Sequence, residues 1–308
     1  MRLLALPLVF SLLATVASSQ DPEKVHLAWK FMKGESLRYE MTYGMDMNIA
    51  DMEIKQEILS AFTMGVQEVN ADGSATVEMR YDRVKIKMSG VLEVEYDSDA
   101  PKKEGGEKKE GEEGMPDIAG MMSRAMGVMV GKSFTVRMSR KGEMSDIKGF
   151  DKIMEAMAKE FGAEGGGEML KGMYSEDQVR QMFQSGFGFV PNRAVAKGES
   201  WDNNAEFKLE QLGTMSMKSK LTLRDIKREG KEAAIKMDTK IDVKGDEGAM
   251  VEVTDGKMNS ELTWSVELGR LESMSGTMTM KMGAAGQEFD ISAAITMKLA
   301  PKKDRKDH

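Results

Sequence analysis

Apolar and polar residues alternate along most of this chain, over runs longer than ten residues. From Leu37 to Ile49 every second residue is apolar, and the run from Phe289 to Leu299 repeats the pattern. Successive side chains of a β-strand point to opposite faces, so each run gives a strand with one apolar and one polar face. A strand of this length spans about 35 Å. The sequence therefore predicts long antiparallel strands in a strongly curved sheet or a barrel.

The phase of the alternation changes at Ala50–Asp51 and again between Tyr81 and Val84. A shift of one residue turns the apolar side chains to the other face, unless a turn or a β-bulge intervenes. The Asp-Gly pair at residues 72–73 is a hairpin signal. We therefore expect strands joined by short turns, with a turn or bulge at each change of phase.

Helical spacing is confined to the middle of the chain. Residues 150–161 carry one apolar stripe, and weaker helices are predicted at 116–127 and from Ser175, where Gln178 completes a capping box. The predicted fold class is α+β and mainly β. It is a long curved antiparallel sheet, half-open like an incomplete barrel, with two or three helices covering its apolar face.

The N-terminus has the pattern of a secretory signal. Arg2 precedes an apolar run from Leu3 to Val16, and small residues lead to a cleavage site near Gln20. No later segment reaches the ~20 apolar residues that a spanning helix needs. The predicted location is therefore secreted or periplasmic, with no transmembrane segment. The chain has no cysteine, but it is long enough to bury a core without disulfides.

Composition divides the rest of the chain. Residues 97–117 are rich in Lys, Glu and Gly with almost no apolar side chain, which predicts a disordered charged linker. The predicted parts are a signal peptide (1–19), a first β part (20–96), the linker (97–117), a helical insert (118–190) with one hairpin (132–149), a second β part (191–299) and a flexible tail (300–308).

Residues that carry common chemistries are scarce. The two histidines, His26 and His308, lie near the mature N-terminus and at the last position, which argues against a Ser-His-Asp or Cys-His arrangement. No phosphate-binding or dinucleotide-binding glycine motif occurs between a predicted strand and a predicted helix. Basic and acidic residues are interspersed, with a net charge of −7, so nucleic acid is not expected as a partner. The sequence predicts no enzyme, no cofactor and no metal centre, and leaves protein partners open.

Three segments carry a resemblance to a known family. They are "AWKFMKGESLRYEMT", "GKSFTVRMSRKGEMSDIKGF" and "FGFVPNRAVAKGESW". They resemble an uncharacterised family of exported bacterial proteins, common in planctomycetes and known only as a domain of unknown function. The resemblance implies no activity, cofactor or site residue. In layout alone the chain also resembles half-barrels that carry lipids or lipoproteins.

The motif "KGES" occurs twice, at Lys33–Ser36 and at Lys197–Ser200, each time opening a strand region. This repetition suggests two related β halves; the alternative is coincidence among similar strands.

Methionine is the most unusual feature of the composition, at 31 of 308 residues. In "TMTMKM" at 277–282, three methionines alternate with polar residues. Paired thioethers on one side of a strand could bind Cu(I). These methionines also continue the apolar phase of their strands, so packing explains them as well. Because methionine packs adaptably, a methionine-lined sheet would suit a variable apolar ligand.

The favoured function is a non-enzymatic exported protein that binds an apolar, lipid-like ligand in a methionine-rich sheet cavity. The alternatives are a cell-envelope structural or interaction module with a filled core, and Cu(I) binding by methionine pairs. The predicted cavity residues are Tyr39, Met41, Tyr43, Met217, Trp264, Met278, Met280, Met282 and Ile295. The predicted lid residues are Met154, Met157 and Phe161.

Overall fold

The computed structural model describes most of the chain. The described residues are 23–49, 52–90, 93–100, 127–161, 180–181, 184, 186–209, 213–245, 251–284 and 287–301. The predicted signal peptide, the linker beyond residue 100, nearly all of the helix predicted at 116–127, the start of the helix predicted from Ser175, and the tail from residue 302 lie outside them.

Strands account for most of the described residues. They are β1 (Lys24–Leu27), β2 (Ser36–Ile49), β3 (Met52–Val69), β4 (Ala75–Ser89), β5 (Val94–Asp97), β6 (Ser133–Met138), β7 (Met144–Lys148), β8 (Arg193–Ala196), β9 (Ser200–Leu209), β10 (Gly213–Lys227), β11 (Glu232–Lys244), β12 (Val251–Ser265), β13 (Arg270–Ala284) and β14 (Gln287–Leu299). The helix α1 (Phe150–Phe161) follows β7 and has the predicted bounds.

Twelve strands form one antiparallel sheet in the order β7-β6-β4-β3-β2-β14-β13-β12-β11-β10-β9, with β5 beside β4. Long hairpins make up both arms of this sheet, and the pairing of β2 with β14 joins the arms. Within the described residues β7 and β9 do not pair, so the sheet is not closed. A second sheet consists of β1 and β8. The predicted fold class, a mainly β protein with a long open antiparallel sheet, is confirmed.

The two changes of phase can be compared with the strand pairing. The strands β2 and β3 pair antiparallel up to Ile49 and Met52, and residues 50–51, where the first change falls, lie outside the described residues. The change between Tyr81 and Val84 coincides with a register shift, because Ala61 faces Arg83 whereas Phe62 faces Tyr81. The hairpin at 72–73 also forms: Gly73 has φ 79°, and the Ser74 amide donates to Asp72 Oδ1 at 2.9 Å. The change of phase near Tyr81 was therefore sufficient to locate the register shift between β3 and β4.

The register gives the large sheet one apolar and one polar face. Residues paired directly across neighbouring strands point to the same face. Met278, Ala293 and Met45 form one such row across β13, β14 and β2. Thr277, Ala294 and Gly44 form the corresponding row on the opposite face. We call the first the apolar face and the second the polar face.

A cap covers one end of the apolar face. The segment after β1 places Trp29 edge-on against Trp264, with ring centroids 4.9 Å apart. From the segment before β8, Phe187 meets Phe62 at 6.2 Å and Phe189 meets Trp264 at 5.7 Å. Because the cap contacts both arms of the sheet, it fills the space between them at this end. We call the end of the apolar face beneath these rings the capped half.

The helix α1 lies over the β6 end of the sheet. Phe150 packs edge-on against Phe134 of β6 at 5.3 Å, and Ile153, Met154 and Met157 are buried in the same hydrophobic cluster as the capped half. The apolar stripe predicted for this helix is therefore its packing face.

The two "KGES" motifs form the same turn. The Gly34 amide donates to the Val66 carbonyl on β3, and the Val66 amide donates back to the Glu35 carbonyl. Gly198 donates to Leu223 on β10, whose amide donates back to Glu199. Each glycine has a positive φ, 81° and 85°. In both arms the repeated motif therefore hydrogen-bonds the start of one strand to the neighbouring strand.

Candidate ligand-binding face

The apolar face differs in exposure between its two ends. In the capped half its side chains are buried, including Tyr39, Met64 and Leu262. Further along the same strands many long apolar side chains are only half-buried, although Ile241 and Ile291 are buried there. We call this region the open half; its half-buried members are Tyr43, Met45, Met47, Ile54, Ile58, Met88, Met215, Met217, Met278, Met280, Met282 and Ile295.

One small side chain in the open half is buried between methionines of the neighbouring strands. Ala293 is 8% exposed although its row neighbours Met278 and Met45 are half-buried. Two unbranched side chains flanking an alanine can lean over it, which accounts for its burial. The surface of the open half is therefore formed largely by thioether side chains that have several rotamers available.

The predicted cavity residues lie on one face of the sheet but in both halves. Tyr39 and Trp264 are fully buried in the capped half. The others lie among the half-buried side chains, Met41 at the border and Met217 on the far arm. Met154 and Met157 are buried beneath α1, on the β6 side, and the side chain of Phe161 lies outside the described residues. The lining and lid roles stay predictions.

Several methionines of the apolar face were missed as candidates, although for most of them a signal was present. Met45 and Met47 continue the alternation of Met41 and Tyr43. Met258 is in phase with Leu262 and Trp264 on β12, and it faces Met278 directly. Met274 could not be placed by alternation, because a register shift separates it from Leu271.

Burial further favours the neutral form of the phenols of this face. The Tyr39 hydroxyl donates to the Leu271 carbonyl at 3.0 Å, and its burial raises the pKa of this phenol far above the ordinary value. Burial also raises the pKa of Tyr43. Among the residues that the structure describes, no three His, Asp or Glu side chains gather to hold a metal ion. The described part of the face offers apolar contact and neutral hydroxyls.

A few small polar residues interrupt the apolar face midway along the strands. Ser219 and Thr239 share a hydrogen bond of 2.8 Å. Ser260 is 2% exposed, and its Oγ has no hydrogen-bond partner within the described structure. It faces Gly276, where an added Cβ would lie 2.2 Å from that oxygen. Gly276 thus provides the space that the Ser260 hydroxyl occupies.

Gly276→Ala is expected to lower the free energy of unfolding by about 1–3 kcal/mol, because the new methyl group overlaps the Ser260 hydroxyl. Urea denaturation measures the change. Gly44→Ala is the matched control, since a Cβ there meets nothing within 4 Å. Equal stabilities of the two variants would contradict this account of Gly276.

Two of the grooves on the described part of the polar face are of mixed charge. One, of about 580 Å³, lies over Gly44, Thr277 and Ala294 and is bordered by Lys55, Glu57, Lys87 and Asp46. The other, of about 1310 Å³, is lined by Arg38, Arg80, Arg270, Glu35 and Glu272 among others. The arginines of the second groove already pair with carboxylates of this chain. Neither groove presents a single sign of charge to a ligand.

The described residues contain no helix of the length and apolarity that crossing a membrane requires.

The fold and the face define a class: a β-protein with a long open antiparallel sheet whose apolar face is capped at one end and lined with methionine at the other. The chain belongs to DUF6263, a family of unknown function, whose model matches residues 72–288. The expected membership of an uncharacterised family is thereby confirmed.

Solved structures show only distant similarity. A chain described as "lipid-protein interactions in lipovitellin" shares 8% identity with a TM-score of 0.48, over 88% of this chain and 26% of that one. This chain therefore spans about a quarter of that structure. A β-barrel-like protein, DUF1849 from Brucella abortus, shares 10% identity at a TM-score of 0.21, over 90% of this chain and all of the other. DynF from Micromonospora chersina shares 8% identity at a TM-score of 0.20, over 93% of this chain and 89% of the other. No curated protein matches the chain. None of these similarities assigns a function.

Proposed function

We propose that the open half of the apolar face binds an apolar, lipid-like small molecule, and that the protein catalyses no reaction. The observation that carries the proposal is the group of half-buried methionines that lies beyond the cap on β10, β12, β13 and β2. Apolar side chains left accessible together on one face often mark a binding site.

The side-chain chemistry suits a ligand of variable shape. Methionine has three rotatable bonds and a polarizable sulfur, so a methionine surface can adapt to different apolar partners. Tyr43 adds a hydroxyl that is neutral near pH 7, as an ordinary phenol is, and burial raises its pKa further. The residues that pair across this face, such as Met278, Ala293 and Met45, are uncharged, so the contacts available favour hydrocarbon over a charged group.

We also propose that the protein acts outside the cytoplasm, because residues 1–19 have the pattern of a secretory signal. Intact mass measurement of the protein from the exported fraction tests this. A mass without residues 1–19 supports export, and a full-length mass found only in the cytoplasm contradicts it.

Native mass spectrometry of that exported protein, before and after mild denaturation, tests the ligand. A lipid-sized mass that disappears on unfolding supports the proposal and identifies the cargo. A bare protein mass in both conditions favours the filled-core envelope module. Added copper would favour the metal alternative, for which Met258 and Met278 stand directly opposite each other on neighbouring strands.

Met278→Asp is expected to weaken binding of N-phenyl-1-naphthylamine, an uncharged apolar fluorophore, by about tenfold or more, because it places a carboxylate on the open half. Thr279→Asp is the matched control, since Thr279 is the next residue of β13 and is exposed on the polar face. Fluorescence titration measures both affinities. If the two variants bind alike, the ligand does not contact the open half.

A further inference from the structure

Two groups of the described methionines differ in exposure. Those of the core cluster are nearly inaccessible: Met64, Met79, Met138, Met144, Met154, Met157, Met237 and Met297 are each at most 8% exposed. Those of the open half are half-buried, and Met52 at its rim is 49% exposed. The sheet register brings Met278, Met280 and Met282 of β13 near Met45 and Met47 of β2, across β14.

Exposure decides which thioethers an oxidant can reach. A peroxide oxidises methionine when a sulfur lone pair attacks one of its oxygens. The S–O bond forms as the O–O bond breaks; hydrogen peroxide, reduced by two electrons, leaves as water, and the thioether becomes a sulfoxide. The reaction requires contact between sulfur and peroxide, so it is faster at half-buried sulfurs than at sulfurs sealed in the capped half.

We propose that the methionines of the open half are a modification site at which peroxides form sulfoxides, and that this oxidation abolishes apolar binding there. A sulfoxide is a polar group, and several together convert an apolar surface into a polar one. The capped half keeps its packing meanwhile, because its methionines are shielded. The loss of binding rests on the function proposed above, whereas the selective oxidation does not.

The position of the methionines makes this a local change. The open half and the aromatic cap lie at opposite ends of the same strands. The rings of the cap contact one another, as Trp29 contacts Trp264. Oxidation at Met280 or Met45 therefore introduces oxygen away from the cluster that stabilises the fold. A sulfoxide at Met138, which is 0% exposed, would instead disrupt the core.

Graded hydrogen peroxide treatment of the folded mature chain, followed by tryptic peptide mapping, tests the order of oxidation. Residues 39–55 and 271–281 are tryptic peptides that hold Met45, Met47, Met278 and Met280, and fragmentation within each separates their methionines. We expect sulfoxide to form at these four methionines at least about tenfold faster than at Met64, Met79 and Met138. Equal rates in the two classes, or faster reaction in the core, would overturn the site.

N-phenyl-1-naphthylamine titration before and after oxidation tests the consequence. We expect affinity to fall about tenfold or more in the wild type, and markedly less in the triple variant Met278→Leu, Met280→Leu and Met282→Leu, since leucine forms no sulfoxide. Met32→Leu is the control: Met32 is 56% exposed but lies in the turn region before β2, away from the open half. This variant should lose affinity as the wild type does.

The two proposals fail in different ways. An equal loss of affinity in the wild type and the triple variant would overturn the effect of oxidation on binding. No binding by the untreated protein would instead contradict the proposed function, while the order of oxidation would still decide the modification site.

Discussion

Gly142→Ala is expected to lower the free energy of unfolding by about 3 kcal/mol or more. Gly142 has φ 87°, a conformation that costs alanine energy. An added Cβ would lie 2.0 Å from the Phe187 carbonyl oxygen and 2.7 Å from Trp29 Nε1. These two atoms are hydrogen-bonded to each other at 3.1 Å within the cap. The substitution would push the cap away from the sheet.

Chemical denaturation followed by tryptophan fluorescence measures the effect, because Trp29 reports on the cap. Gly131→Ala is the matched control: its φ is 78°, but a Cβ there meets nothing within 4 Å. The difference between the two variants isolates the close approach from the backbone strain. If both lose the same stability, the contact between the β6–β7 hairpin and Phe187 contributes nothing.

Arg270→Ala is expected to lower the free energy of unfolding by about 3–5 kcal/mol, because it leaves a carboxylate buried without its partner. Arg270 donates to Glu35 Oε1 at 2.6 Å, and the two side chains are only 13% and 5% exposed. Glu35 belongs to the first "KGES" turn and Arg270 begins β13, so the pair joins the two arms of the sheet beside the cap.

The double variant Glu35→Gln, Arg270→Met should recover much of that loss, since it removes both charges. Lys231→Ala is the control for an exposed ion pair. The side chains of Lys231 and Glu267 are each 59% exposed, and their charged atoms lie 3.8 Å apart. This substitution should change the free energy of unfolding by no more than about 0.5 kcal/mol. Thermal unfolding measures all three variants. A double variant no more stable than Arg270→Ala would contradict the unpaired-charge explanation.

Local features of the chain were largely predictable from the sequence. The bounds of α1 coincide with the predicted helix, because a single apolar stripe over 150–161 matches the helical period. The register shift beside Phe62 was visible as a change in the phase of alternation near Tyr81. The division into a first β part, an insert and a second β part stays a prediction.

The sheet order was not predictable from the same patterns. Alternation identifies a strand and its apolar face, but says nothing of which distant strand lies beside it. The pairing of β2 with β14, separated by most of the chain, joins the two arms. The predicted hairpin at 132–149 likewise became part of the large sheet, through the pairing of β6 with β4.

The candidate site depended on both the sequence and the tertiary structure. By itself the sequence determined that methionines such as Met45 and Met280 occupy the apolar phase of long strands, because strand side chains alternate with a period of two. The tertiary structure alone decided which of these methionines are sealed and which are half-exposed. That difference arises from the cap: rings brought from residues 29 and 187–189 cover one end of the face, and burial by a remote segment leaves no trace in the local pattern of a strand.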